Sequence, residues 1–185
     1  MASDRKQQIL ETLAQMLENP KREKITTASL AAKLDVSEAA LYRHFANKAQ
    51  MFEGLIEFIE ISIFGVLNKI TTDETDGTKQ ARLIVILLLK FAEKNPGMTR
   101  VLIGDALVNE EDYLQTRINQ LYDRLEASLK QSLRIAETQT NKKADVEAQA
   151  NLLICFVIGR WHQYTKCGFK RKPTELLEIQ LNQLI

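Results

Sequence analysis

Apolar residues recur along the chain with the spacing of helices. Ile9, Leu10, Leu13 and Leu17 share one face and predict a helix over about 4–18. Asp4 followed by Gln7 reads as its capping box, and Asn19-Pro20 ends it. A charged loop, 21–24, leads to Thr26 or Thr27, which caps a second helix ending near Leu34. Asp35-Val36 reads as a tight turn. Ser37 caps a very short third helix, 38–44, and Asn47 with Gln50 caps a long fourth, from 48 to about 70.

Polar residues 71–77 predict a loop, and a fifth helix covers 78–94 until Asn95-Pro96-Gly97 stops it. A short helix over 98–107 and a long one over 110–137 follow. Residues 138–143 are polar and predict a mobile connection; helices over 144–165 and 174–184 complete the chain. No strand pattern and no internal repeat is legible. The expected fold is all-α: a three-helix head, residues 1–47, on a helical-bundle body of about six helices, residues 48–185.

Composition agrees. The 185 residues include only 3 Pro and 7 Gly, with 45% hydrophobic and 26% charged residues, as in globular helical proteins. Net charge is +1, and residues 1–48 carry eight Lys/Arg against six Asp/Glu, so charge alone does not point to nucleic acid. The longest strongly apolar run, 83–89, is far short of the roughly 20 residues that span a bilayer. No secretory pattern opens the chain, so a soluble, cytoplasmic protein is expected. Cys155 and Cys167 have no metal-ligand spacing and read as reduced thiols; His44 and His162 have no nucleophile at a useful distance in sequence. No metal site, cofactor site or enzyme constellation is expected.

The segment 25–45 carries the chemistry. Two short helices with a three-to-four-residue turn match helix-turn-helix geometry. Leu30, Ala31 and Leu34 face the core of the head, Val36 plugs the turn, and Leu41 and Phe45 anchor the third helix. Asp35 stands where glycine often does and tolerates left-handed backbone. Glu38, Ala39, Tyr42, Arg43 and His44 then point outward. Thr26, Thr27, Ser37, Tyr42, His44 and Lys48 offer polar groups suited to phosphate oxygens, helped by the positive ends of helices two and four, and Ala39 and Ala40 suit thymine methyls.

Leu41-Tyr42-Arg43-His44-Phe45, with Lys48 and Phe52, resembles the signature of the TetR-type repressors. A narrower resemblance is carried by Ile25-Thr-Thr-Ala28, Val36 to Phe45, Met51-Phe52, Leu55 to Glu60, Ala81 to Val85, Asn95-Pro-Gly97 and Arg117 to Leu121. These segments are similar to the nucleoid occlusion factors of gamma-proteobacteria. The resemblance implies a homodimer that binds double-stranded DNA at chromosomal palindromes. From the DNA it antagonises polymers of the tubulin-like division GTPase FtsZ and keeps septa off the nucleoid. It also implies a partner surface on helices four and five, at Phe58, Leu87, Lys94 and Asn95, with Val66 and Lys90 matching by position but not by residue type.

Helix four bears on that surface. Phe52, Leu55, Ile56, Ile59, Ile63, Val66, Leu67 and Ile70 form one stripe, while Phe58, Ile61 and Phe64 lie on the other side. Such a helix is either buried all round or shows an apolar patch to a partner. Trp161, His162 and Tyr164 near Cys167 line a ligand cavity or belong to core or interface. The resemblance implies that Leu152, Leu153, Phe156, Val157, Trp161, Leu177 and Leu181 pair with a second copy. The alternative function is a small-molecule-responsive transcriptional repressor, sharing the head and differing in the body.

Overall fold

The computed structural model describes residues 2–19, 25–141 and 145–185, and every regular element among them is helical. In chain order these are α1 (Ala2–Leu17), α2 (Thr27–Lys33), α3 (Glu38–Tyr42), α4 (Lys48–Asp73), α5 (Gly77–Lys94) and α6 (Pro96–Leu102). A single 3-10 turn (Asp105–Leu107) precedes α7 (Asp112–Thr140), α8 (Val146–Lys166) and α9 (Leu177–Leu184). The expected loop at 21–24, Pro20 and the expected helix start at Ala144 lie outside the described residues.

Element limits move where side chains bind the backbone. Asp4 does not cap α1, which already contains it; Gln7 instead donates to Glu11 one turn on, at 2.8 Å. The loop expected at 71–77 is helical to Asp73, and within it the Thr71 and Thr72 hydroxyls donate back to the Asn68 carbonyl. Thr138 and Thr140 do the same toward Arg134 and Ala136 in α7, which runs to Thr140. The last helix begins at Leu177, not 174, after Leu176 adopts φ 63°.

Packing groups the chain into two units, 1–59 with 95–118 and 60–94 with 119–185. The division passes through α4 and α7. It differs from the head boundary at residue 47 because α6 and the start of α7 pack with the head. Gly97 on α6 lies so close to α1 that a Cβ would sit 1.9 Å from the Ala14 carbonyl oxygen, so only glycine permits this crossing. Arg100 is buried and donates from Nε to Asp105 (2.7 Å) and from Nη1 to the Leu17 carbonyl at the end of α1 (3.1 Å). It thereby closes an open helix end.

The head core holds most of the residues expected there, while Leu10, Leu34 and Val36 are only half-buried at its edge. Ile9, Leu13, Leu17, Leu30, Ala31, Leu41, Phe45 and Phe52 are buried. Burying side chains of this size is worth about 1.5–3 kcal/mol each. Thr26 caps α2, and Thr26 and Ser29 exchange bonds of 3.0 and 3.1 Å in a capping box. Asp35 has φ 53°, and Val36 then sends its N–H to the Ala31 carbonyl (3.0 Å). Asn47 caps α4 through the Gln50 N–H (2.9 Å), whereas the Gln50 side chain reaches Ala46 instead of completing the box on Asn47.

In the second unit, Trp161 is fully buried, donates to the Leu88 carbonyl (3.2 Å) and lies 6.2 Å from the Tyr122 ring. Tyr164 is also buried and donates to the Glu93 carbonyl, while His162 is exposed. Trp161 and Tyr164 are therefore core residues. Arg160 is buried and donates to the carbonyls of Pro173 (3.0 Å), Lys172 (2.9 Å) and Glu175 (2.9 Å). One guanidinium thus satisfies three carbonyls of an irregular segment that has no ladder of its own. Burial, together with the nearby charge of Arg171, holds its pKa below the ordinary arginine value.

Five of the seven residues expected to pair with a second copy are spent on this internal core: Leu153, Val157, Trp161, Leu177 and Leu181. Leu152 remains exposed, Phe156 is half-buried, and Cys155, Gly159, Leu176 and Ile179 are half-buried or exposed beside them in the same two helices' outer positions. Helical periodicity marks apolar residues but does not separate those facing the chain's own core from those facing outward.

Candidate DNA interface and partner surface

The outward face of the head is polar, as expected from its pattern. Thr26, Ser37, Glu38, Ala39, Tyr42 and Arg43 are exposed; Thr27, Ala40, His44 and Lys48 are half-buried. Ser37 caps α3 by accepting from the Ala40 N–H (3.3 Å), and Thr26 accepts from the Ser29 N–H. Both hydroxyls are therefore fixed in direction at the starts of the two helices. Leu41, fully buried, pins α3 to the core while its neighbours Tyr42 and Arg43 project.

The described structure brings three of these residues into one chain of hydrogen bonds. The Tyr42 hydroxyl donates to the Thr27 oxygen at 3.4 Å, and the Thr27 hydroxyl donates to the Glu38 carboxylate at 2.6 Å. Glu38 and Thr27 are eleven residues apart and meet only because the turn at Asp35 folds α3 onto α2. Thr27 is thus an orienting group for Glu38, a role its hydroxyl chemistry alone does not reveal.

Lys48, the first residue of α4, donates to the Glu110 carboxylate, with only 21% and 12% of the two side chains accessible. Its ammonium also lies 5.4 Å from the centre of the Phe52 ring. Glu110 was not legible as part of the site: 62 positions separate the pair and no local pattern connects them.

The implied partner residues divide between the units. In the first, Phe58 is 40% exposed and borders a cleft of about 210 Å³ with Leu10, Leu55 and Met98; Asn95 is half-buried ahead of α6. In the second, Val66 on α4 is 48% exposed, Leu87 on α5 is half-buried, and Lys90 and Lys94 are exposed. Val66 therefore leaves the stripe in which its spacing placed it, whereas Ile56, Ile59, Ile63 and Leu67 are buried. Ile61 is 66% exposed, and Phe64 is covered by the Arg124 guanidinium, 3.9 Å above its ring.

This head and its bundle define the class. Residues 23–55 match the family model described as bacterial regulatory proteins, tetR family. Residues 76–185 match that described as tetracyclin repressor-like, C-terminal domain, in its SlmA-like form. A TetR transcription regulator from Haloarcula marismortui superposes with a TM-score of 0.80 at 16% identity, covering 98% of this chain and 95% of that one. That likeness establishes the fold. The protein is a DNA-binding regulator of the TetR type.

Its sequence relatives are narrower in kind. The nucleoid occlusion factor SlmA of Alteromonas mediterranea is 53% identical over 180 residues, 96% of this chain and 92% of that protein. The SlmA of Shewanella amazonensis is 49% identical over 178 residues, covering 95% and 90%. The chain belongs to the SlmA family of nucleoid occlusion factors.

Proposed function

We propose that the protein is a nucleoid occlusion factor: a homodimer that binds palindromic DNA across the nucleoid and, from there, antagonises polymers of the division GTPase FtsZ, blocking septum formation over the chromosome. The observation that carries this reading is the extent of the likeness. Alignments at 49–53% identity cover 95–96% of the chain, body as well as head, the body matches the SlmA-like model, and the bodies of TetR-type regulators are where their functions part. The DNA contacts are Thr26, Thr27, Ser37, Glu38, Ala39, Ala40, Tyr42, Arg43, His44 and Lys48. Their exposed polar groups and small apolar side chains suit phosphates and base edges.

The division partner is met by Phe58, Val66, Leu87, Lys90, Lys94 and Asn95. Exposed Phe58 and Val66 supply apolar contact, and the paired turns of Lys90 and Lys94 at the end of α5 suit an acidic partner segment. The homodimer forms through the outer residues of α8 and α9. It sets two heads about 34 Å apart, one turn of DNA, which is the geometry a palindrome demands.

The test is to map the protein's sites on the chromosome. It is joined to light scattering of FtsZ polymers with and without the bound DNA. Many dispersed sites and DNA-stimulated loss of polymers are expected. One site beside a single operon, with polymers untouched, makes the protein a ligand-responsive repressor instead.

A further inference from the structure

Glu38 places a carboxylate at the leading edge of the proposed DNA-reading helix. It is the first residue of α3, it is exposed, and its carboxylate is repelled by every phosphate it approaches. It is nonetheless held in place. Thr27 on α2 donates to Oε2 at 2.6 Å, and Tyr42, one turn further along α3, donates to the same threonine oxygen at 3.4 Å. Among the described residues, Oε1 has no hydrogen-bond partner. The head therefore orients an acceptor-only group on an exposed residue, with one oxygen held by Thr27 and the other without a partner among the described residues.

The major groove limits what such a group can bind. Its acceptors, guanine N7 and O6, adenine N7 and thymine O4, are closed to a carboxylate. The only donors there are the exocyclic amino groups, N4 of cytosine and N6 of adenine. Building on the DNA-binding reading above, we propose that Glu38 determines specificity by accepting a hydrogen bond from one exocyclic amino group per half-site, and that Thr27 positions it. The small side chain of Ala39 next to it permits the helix to approach that closely. A carboxylate also weakens binding wherever no amino group meets it, since it then faces phosphates and carbonyl acceptors unpaired. Glu38 thereby rejects wrong sequence as much as it accepts the right one.

The test begins with the duplex that the full-length wild-type protein selects from a random library. Every base pair of one half-site is then replaced in turn, and affinities are measured at fixed salt for wild type, E38A, E38Q, T27V and T27S. Wild type is expected to lose about tenfold at the contacted pair, in the range of a single direct base contact. In E38A that loss falls to about twofold at the same pair and stays unchanged elsewhere, while affinity for random-sequence duplex rises. T27V reproduces the E38A profile at that one pair, and T27S restores it. E38Q keeps one acceptor oxygen and adds an amide N–H: its preference at that pair is retained or strengthened if adenine is read, because the amide pairs with both N6 and N7, and is retained only in part if cytosine N4 is read.

An E38A profile identical to wild type, or one flattened equally at every position, overturns the proposal while leaving DNA binding intact. Uniform weakening in T27V overturns the positioning role of Thr27 and makes it a phosphate contact. A wild-type protein that selects no sequence at all overturns both this inference and the DNA-binding reading beneath it.

Discussion

Lys48 at the start of α4 is hydrogen-bonded to Glu110, 62 residues later, in a partly buried pair. The lysine expected to meet a phosphate is therefore already engaged by a carboxylate in the DNA-free protein. The proposed contact with DNA would exchange one anion for another. Replacing Glu110 by Gln should raise DNA affinity about two- to fivefold at low salt, the scale of a partly accessible ion pair. The gain should shrink as salt screens the pair, and the K48A background should abolish it. Fluorescence anisotropy titrations at several salt concentrations read both effects; equal gains from E110Q with and without Lys48 would disprove the exchange.

Tyr42 is 46% exposed and stands beside buried Leu41. Its ring is not needed to hold the head together, and its hydroxyl lies on the head's outward face beside Thr27, where DNA contact is proposed. Tyr42→Ala should weaken operator binding by about tenfold, the cost of losing a hydrogen bond to a charged acceptor. The melting temperature should stay within a degree or two of wild type. Unchanged affinity at fixed salt removes Tyr42 from the interface.

Phe58 and Lys94 test the partner surface separately from the head. Phe58→Ala with Lys94→Asp should leave operator affinity nearly intact, because neither residue lies among the reading elements. The DNA-bound variant should fail to disrupt FtsZ polymers in a light-scattering assay. Loss of an apolar anchor costs on the order of 2 kcal/mol or more at a hot spot, and reversal of a rim charge mainly slows association. Polymers lost at the wild-type concentration of protein would locate the contact elsewhere.

Assembly is tested on the outer residues that the internal core leaves over. Leu152 is 50% exposed on α8 and Ile179 is 62% exposed on α9. Leu152→Arg with Ile179→Arg should convert a dimer into a folded monomer in sedimentation velocity. Operator affinity should fall with it, since two heads no longer arrive together. A wild-type monomer at micromolar concentration would sink the dimer reading.

Arg160 offers a stability test. Arg160→Met keeps an unbranched apolar stem but removes the guanidinium and strands three buried or half-buried carbonyls. It should cost about 3 kcal/mol, which lowers a thermal midpoint by roughly 6–12 °C in a chain of this size. Circular dichroism melts measure this directly; a shift of a degree or less would mean that water replaces the guanidinium.

The sequence by itself determined the head. Capping residues Thr26, Ser37 and Asn47, the left-handed turn at Asp35 and the anchors Leu30, Leu41 and Phe45 act over a few residues, so local chemistry specifies them. The all-helical class followed from periodicity in the same way, and the family followed from motifs scattered through head and body. Tertiary structure decided what local pattern leaves open. Polar stretches at 71–73 and 138–140 continue α4 and α7, because a helix already formed and packed extends through polar residues that local pattern assigns to a loop. Leu153, Val157 and Leu181 turned inward while Leu152 and Ile179 stayed outside, since identical apolar side chains differ only in what the fold packs against them. The pairs Thr27–Glu38, Lys48–Glu110 and Arg100–Leu17 exist only after folding, because each joins groups that no helical period or capping rule connects.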